Sequence, residues 1–149
     1  MSFHNKINVA IIGATGYTGL DLTLMLSKHP KVIIKNLCAT RNLGKDIKVI
    51  DKRIKKRLPK ISSLTEINYK NLDVIFLSLP NGEAQNIIKK NYFINKRLKF
   101  IDLSADFRIF NYKIYEKNYK IKHKAKNLIK KSLYSLPEFS RNDIQKFRI

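Results

Sequence analysis

The sequence is poor in cysteine, in acidic residues and in long apolar runs. Its 149 residues include one cysteine, Cys38, no tryptophan and only 11 acidic side chains against 31 Lys and Arg. A lone cysteine excludes an internal disulfide, which is typical of a reducing compartment. Since no stretch is apolar for long enough to cross a bilayer and no leader precedes the first strand pattern, we expect a cytoplasmic protein without a membrane span.

The three histidines, His4, His29 and His123, share neither ligand spacing nor a common face. We therefore predict no metal site and no histidine-based catalytic pair.

The net charge of +20 is the main argument for a nucleic-acid partner. The lysine-rich segments 45–60 and 113–131 carry much of it, and Tyr112, Tyr115 and Tyr119 alternate with the lysines of the second. Lysine, isoleucine and asparagine all have A/T-rich codons, however, so base composition explains the bias without a polyanionic partner, and we favour that explanation. We favour two solvated segments whose aromatic side chains pack inward, with nucleic-acid binding as the alternative.

Apolar and turn-forming residues alternate as in a folded α/β domain. Buried-strand patterns occupy residues 7–12, 31–38, 73–79 and 99–103, and helical patterns occupy 17–28 and about 83–91. Strands that alternate with helices favour right-handed crossovers. We predict a single domain over residues 1–149 with a Rossmann-like, doubly wound α/β fold, a mostly parallel sheet and helices on both faces.

Three glycines at every third position, Gly13, Gly16 and Gly19, stand where the first strand gives way to the first helix. In a dinucleotide-binding fold such glycines allow a tight turn, close approach of a pyrophosphate and close helix packing, in that order. Free amides at the helix N-terminus then hold the anion. We predict a cofactor loop that also includes the residues between the glycines, namely Ala14, Thr15, Tyr17 and Thr18; a purely steric role for the glycines is the alternative.

The end of the second strand indicates which dinucleotide binds. An acidic residue there typically holds the ribose of NAD, whereas an arginine accommodates the 2′-phosphate of NADP. Thr40 and Arg41 occupy this tip, with Lys45 nearby and no Asp or Glu. We therefore predict NADP as the cofactor.

Several motifs, in order and with matching spacing, resemble the N-terminal part of the N-acetyl-gamma-glutamyl-phosphate reductase family. They are GATGYTG at 13–19, ATR at 39–41, LPNGE at 79–83, DLSADFR at 102–108 and YSLPEF at 134–139. Ser135, Phe139 and Asn81 depart from the residues usual in that family. The resemblance implies that Pro80 and Asn81 flank the dinucleotide, and that Ser104 and Arg108 meet substrate or structural partners.

The resemblance also implies a reaction, the NADPH-dependent reduction of an acyl phosphate to a semialdehyde in arginine biosynthesis, in a homo-oligomeric enzyme. The family's catalytic cysteine and histidine lie beyond the motifs present, and Cys38 is expected to be an inert small hydrophobe. We therefore expect an NADP-binding domain that lacks the C-terminal catalytic domain and does not turn over alone, unless a second polypeptide completes it. The alternatives are an N-acetyl-aminoadipyl-phosphate reductase fragment of lysine biosynthesis and a decaying gene product without a stable fold.

Overall fold

A computed structural model of the chain describes residues 6–149 and contains one sheet of five parallel strands. The strands are β1 (Ile7–Ile12), β2 (Val32–Cys38), β3 (Ile61–Ser62), β4 (Val74–Leu77) and β5 (Lys99–Asp102). Their order across the sheet is β3-β2-β1-β4-β5. The predicted Rossmann-like parallel sheet is thus confirmed.

The strand registers align the carboxyl ends of the strands at one edge of the sheet. Ile12, the last residue of β1, pairs with Cys38 of β2 on one side and with Leu77 of β4 on the other. Leu77 in turn pairs with Asp102 of β5. The loops that follow all four strands therefore meet at this edge, where ligands of open α/β sheets bind.

The helices are α1 (Tyr17–Lys28), α2 (Ala84–Asn91), α3 (Tyr112–Tyr119) and α4 (Pro137–Ser140). The chain also forms single 3-10 turns at Ile47–Val49, Leu64–Glu66, Tyr69–Asn71 and Ile144–Lys146, and a longer one at Lys126–Lys131. None of the helices within residues 6–149 has the length and apolar character needed to cross a bilayer.

Helices α1 and α2 cover opposite faces of the sheet. Val9 and Ile11 of β1 point into a core cluster that the leucines of α1 join, whereas Ala10 and Ile12 point into a second cluster that contains Ile88 of α2. Alternate residues of β1 are therefore buried on both faces, as its continuous apolar run predicts.

The apolar positions of the predicted helix at 17–28, Leu20, Leu22, Leu24, Met25 and Leu26, predict a broad inner face, and the inner face of α1 differs from it. Its most buried residues are the small ones, Gly19, Thr23 and Ser27, at a spacing of four, while the leucines flank this stripe and Met25 is exposed. The hydroxyl of Thr23 donates to the carbonyl oxygen of Gly19 at 2.7 Å, which satisfies it inside the helix. Small residues allow α1 to lie close to the sheet.

The two lysine-rich segments pack apolar side chains inward. Ile47 and Ile54 of segment 45–60 are buried, and that segment leads into β3, a two-residue strand that the sequence pattern did not indicate. In segment 113–131 Tyr115 of α3 is fully buried, and Tyr112 packs on the core with the ammonium of Lys126 over its ring.

Candidate functional site

The glycine loop, residues 13–19, is held in place by two close backbone approaches. Gly13 has a φ of +83°, and a β-carbon there would lie 2.0 Å from the carbonyl oxygen of Ser78. A β-carbon on Gly19 would lie 2.1 Å from the carbonyl oxygen of Gly13. The structure thus requires glycine at both positions, at 13 because of the left-handed turn and at 19 because of the close helix packing.

The structure does not require glycine at position 16 in this way. The φ of −77° of Gly16 suits any residue, and a β-carbon there would come no closer than an ordinary contact of 3.5 Å. Gly16 is the N-cap of α1, and no side chain of residues 6–149 caps that helix. The amides of the first turn of α1 are therefore available to an acceptor from outside the helix.

A cleft of about 220 Å³ opens beside these amides. It is lined by Gly16, Tyr17 and Thr18 from the glycine loop, by Ser78 and Leu79 after β4, and by Leu103 after β5. The cleft lies where strand order reverses, since the chain runs from β1 to β2 on one side and continues with β4 on the other. We call it the glycine-loop cleft.

The tip of β2 lies next to the glycine loop. The amides of Gly13 and Ala14 both donate to the carbonyl oxygen of Cys38, at 2.9 and 3.0 Å. Thr40 and Arg41 follow after Ala39 and are exposed, and Arg41 forms no ion pair within residues 6–149. A free guanidinium therefore stands at the carboxyl edge beside the glycine loop.

Lys45 lies on the same loop as Arg41. Its ammonium group donates to the side-chain oxygen of Asn42 at 3.1 Å, and Asn42 adopts a left-handed backbone conformation with a φ of 61°. The loop after β2 is thus folded back on itself with its basic residues outward.

The turn at residues 80–82 and the loop at residues 103–108 are connected by hydrogen bonds. Pro80 and Asn81 are exposed, and the side-chain oxygen of Asn81 accepts from the amide of Ala105 at 3.1 Å. Asp106 accepts from the amide of Gly82 at 2.7 Å. Pro80 and Asn81 themselves do not line the glycine-loop cleft; their neighbour Leu79 does.

Ser104 and Arg108 line a different cavity, of about 510 Å³, along β5 and the segments 133–135 and 147–149. The guanidinium of Arg108 lies 5.8 Å from the ring centre of Tyr134, and Ser104 accepts from the amide of Asp106. Asp102 also lines this cavity, with one carboxylate oxygen buried and without a hydrogen-bond partner. Burial raises the pKa of Asp102.

Cys38, His29 and His123 do not line the glycine-loop cleft. Cys38 is buried at the end of β2, and burial raises the pKa of its thiol, which disfavours the thiolate that a nucleophile requires. His123 is also buried, and burial lowers its pKa. His29 ends α1, and His4 lies outside the described residues. Within residues 6–149 no group of three or more His, Cys, Asp or Glu side chains is suited to a metal ion.

Sequence reasoning missed the far wall of the cleft and its support. Leu79 and Leu103 belong to the motifs at 79–83 and 102–108, but they are not among the predicted site residues, and Ser78 lies in no motif. Asp106 belongs to the motif at 102–108, but its partners, the backbone amides of Gly82 and Gln85, are more than twenty residues away.

The strand order, the glycine turn and the cleft at the switch point define a dinucleotide-binding α/β domain. The family model described as "Semialdehyde dehydrogenase, NAD binding domain" matches residues 8–147. The chain therefore belongs to the family of semialdehyde dehydrogenase NAD-binding domains.

Among curated proteins the chain is similar to enzymes named N-acetyl-gamma-glutamyl-phosphate reductase. It is 43% identical to that of Ehrlichia canis over 143 residues and 40% identical to that of Brachyspira hyodysenteriae over 137 residues. These matches cover 95% and 92% of this chain but only 40% and 38% of the relatives. The chain thus spans about two fifths of the length of these relatives.

Solved structures of aspartate semialdehyde dehydrogenases share the fold. The enzyme from Candida albicans, solved with NADP, aligns with a TM-score of 0.53 and 27% identity over 70% of this chain and 31% of that one. The enzyme II from Vibrio cholerae aligns over 97% of this chain and 36% of that one, with a TM-score of 0.58 and 19% identity.

Proposed function

We propose that this chain is the NADP(H)-binding domain of an N-acetyl-gamma-glutamyl-phosphate reductase of arginine biosynthesis. The names of the relatives support the assignment to this enzyme, and the family match supports the assignment to its dinucleotide-binding domain. The observation that carries the proposal is the N-terminus of α1, which faces the glycine-loop cleft and is not capped by a side chain. The packing of the protein itself does not require a glycine at position 16.

In this proposal the glycine loop holds the pyrophosphate. The amides of Tyr17 and Thr18 supply hydrogen-bond donors and the positive end of the helix dipole. Gly13, Ala14, Thr15, Gly16 and Gly19 build the turn, in which the Gly16 amide donates to the carbonyl oxygen of Gly13 at 3.1 Å. Arg41 and the Thr40 hydroxyl hold the 2′-phosphate, with Lys45 as a second cation. Pro80 and Asn81 border the far end of the dinucleotide, where bound NADPH supplies the two electrons for reduction of the acyl group.

Ser104 and Arg108 are proposed to contact the acyl-phosphate substrate or the structure that surrounds it, since both line the cavity along β5. A guanidinium is suited to a phosphate group. The cytoplasm is the proposed compartment, on the ground of the single free thiol. Two plant relatives are named chloroplastic, so the compartment differs among relatives.

Turnover is proposed to require residues outside this domain. The only thiol, Cys38, is buried on the adenosine side of the proposed cofactor path. The imidazole of His123 is also buried and is hydrogen-bonded to the carbonyl oxygen of Asp106. We propose that a catalytic domain, on the same or a second polypeptide, supplies the nucleophile and the acid–base group, and that the assembled enzyme is a homo-oligomer. The N-acetyl-aminoadipyl homologue remains an alternative, because the residues that read substrate length are proposed to lie in that domain.

Fluorescence titration of the chain with NADPH, NADH and a single-stranded oligonucleotide tests the proposal. We expect saturable NADPH binding about tenfold or more tighter than NADH binding, as one charge-assisted contact to the 2′-phosphate predicts. Oligonucleotide binding, if present, falls steeply between 50 and 200 mM salt because it depends on counterion release. Tight oligonucleotide binding together with no NADPH binding would contradict the proposal and favour the nucleic-acid alternative.

A further inference from the structure

Asp106 joins the two loops that form the far wall of the glycine-loop cleft. Its side chain is completely buried. One carboxylate oxygen accepts from the amide of Gly82 at 2.7 Å and from the hydroxyl of Tyr115 at 2.6 Å, and the other accepts from the amide of Gln85 at 3.1 Å. A single carboxylate therefore holds the turn before α2, the first turn of α2, and α3.

The main chain of Asp106 is held as firmly as its side chain. Its amide donates to the Ser104 hydroxyl at 3.2 Å, and its carbonyl oxygen lies 2.8 Å from Nε2 of His123. Since Nδ1 of His123 accepts from the amide of Ala125, the proton of the neutral ring is on Nε2, which donates to Asp106. The position of the carboxylate is thus fixed from both sides.

These contacts determine where two cleft-lining residues lie. Leu79 lines the cleft and immediately precedes the turn that ends at Gly82, whereas Leu103 lines it and immediately precedes Ser104. The turn has little freedom of its own: Gly82 has a φ of +93°, and a β-carbon there would lie 3.2 Å from the side chain of Ile121. The carboxylate of Asp106 is the link between the two loops.

We propose that Asp106 is a positioning residue for the cofactor: by holding the 79–82 turn against the 103–106 loop, its carboxylate sets the width of the cleft and thereby the affinity for NADP(H). This inference rests on the proposed function. Preorganised loops bind more tightly because less conformational entropy is lost on binding.

The chemistry of the contacts explains why a carboxylate is needed. Three donors converge on two oxygens, and only an ionised carboxylate accepts at both. Asparagine has the same shape but carries an NH₂ group in place of one oxygen, so it would face the amide of Gly82 or Gln85 with another donor. Tyr115 contributes a single hydroxyl. Its pKa is raised, mainly by burial and also by the hydrogen bond to Asp106, so the hydroxyl keeps its proton and remains a donor.

The test compares three variants of the full chain: Asp106→Asn, Tyr115→Phe and the control Tyr119→Phe. Tyr119 lies on the same helix, with its ring 4.9 Å from that of Tyr115, and no hydrogen bond joins it to Asp106. The measurements are the NADPH Kd, hydrogen exchange at the amides of Gly82 and Gln85, and the melting temperature. The amplitude at saturation counts the folded molecules, so loss of fold is separated from loss of affinity.

We expect the Kd for NADPH to rise about tenfold in Asp106→Asn and about threefold in Tyr115→Phe, with faster exchange at both amides and no change in Tyr119→Phe. If Asp106→Asn does not fold, Tyr115→Phe decides. A lower melting temperature with an unchanged Kd in the folded variants would overturn the inference and leave Asp106 a structural residue. Absence of NADPH binding by the unaltered chain would instead overturn the proposed function, and the inference with it.

Discussion

Gly19 rests against the carbonyl oxygen of Gly13, so that a β-carbon at position 19 would lie 2.1 Å from that oxygen. Both partners are backbone, and Gly13 is itself packed closely against the carbonyl group of Ser78. The start of α1 therefore cannot move away without disturbing the junction of β1 and β4. Gly16, three residues earlier, has ordinary van der Waals room.

The variants Gly19→Ala and Gly16→Ala should consequently affect different properties, stability in the first and NADPH binding in the second. We expect Gly19→Ala to lower the free energy of unfolding by about 1–3 kcal/mol, as for overpacking of a well-packed site. Gly16→Ala should cost less than about 1 kcal/mol in stability but weaken NADPH binding at least about tenfold, because the new methyl group would occupy the place proposed for the pyrophosphate. Urea unfolding and NADPH titration of each variant provide the measurements. Equal NADPH affinity in Gly16→Ala and the unaltered chain would argue for the steric role of all three glycines.

Arg41→Ala should remove the preference for NADPH over NADH. The guanidinium has no ion-pair partner within the described residues, so its removal leaves no buried charge and should not lower stability. We expect the NADPH Kd to rise about tenfold or more with little change for NADH. The matched control is Arg97→Ala, an exposed arginine just before β5, at the opposite edge of the sheet. An unchanged ratio of the two affinities would exclude Arg41 as the selecting residue.

His123 should make the fold less stable in mildly acidic solution. Burial lowers its pKa below the ordinary value of 6.5, so the unfolded chain binds the proton more readily than the folded one. The contribution of neutral His123 to the free energy of unfolding is complete above about pH 6.5. It is lost as the pH falls from there through the pKa that His123 has in the folded state. Glu116 raises the pKa of His123 by its negative charge, and Lys126 lowers it by its positive charge.

The measurement is the free energy of unfolding from pH 7.5 to pH 5, for the chain and for His123→Gln. Both contain the same carboxylates, so the difference between the two curves isolates the histidine. We expect the difference to shrink as the pH falls; parallel curves would show that His123 does not titrate in this range.

Cys38 should be unreactive and dispensable for cofactor binding. Its side chain is buried, and burial raises the pKa of the thiol. We expect slow modification by a thiol reagent in buffer, fast modification in urea, and an NADPH Kd in Cys38→Ala within about twofold of that of the unaltered chain. Rapid modification of the folded chain with loss of NADPH binding would show a reactive thiol near the cofactor.

Local sequence patterns predicted the elements that depend on local chemistry. The bounds of α1 and β1 agree with the predicted ones, because the glycine loop fixes the boundary between them and His29-Pro30 ends the helix. The strand predicted at 73–79 ends at Leu77, although the amide of Ser78 still donates to Ile12.

The features that local patterns did not predict depend on contacts between distant residues. The stripe of small residues on α1 reflects how near the helix lies to the sheet, which no periodicity of leucines reveals. Likewise β3 exists because Ile61 and Ser62 pair with Leu37 and Cys38. The role of Asp106 requires donors from residues 82, 85 and 115 to converge, and only the folded chain brings them together.

The central place of β1 in the sheet has a consequence for synthesis on the ribosome. β1 pairs first with β2, which follows it closely, but its other edge waits for β4. At about 5–20 residues per second, the segment between Cys38 and Val74 takes several seconds to emerge. During that interval the nascent chain presents an unprotected apolar strand edge, so chaperone demand should peak before residue 77 leaves the exit tunnel and fall once β4 docks.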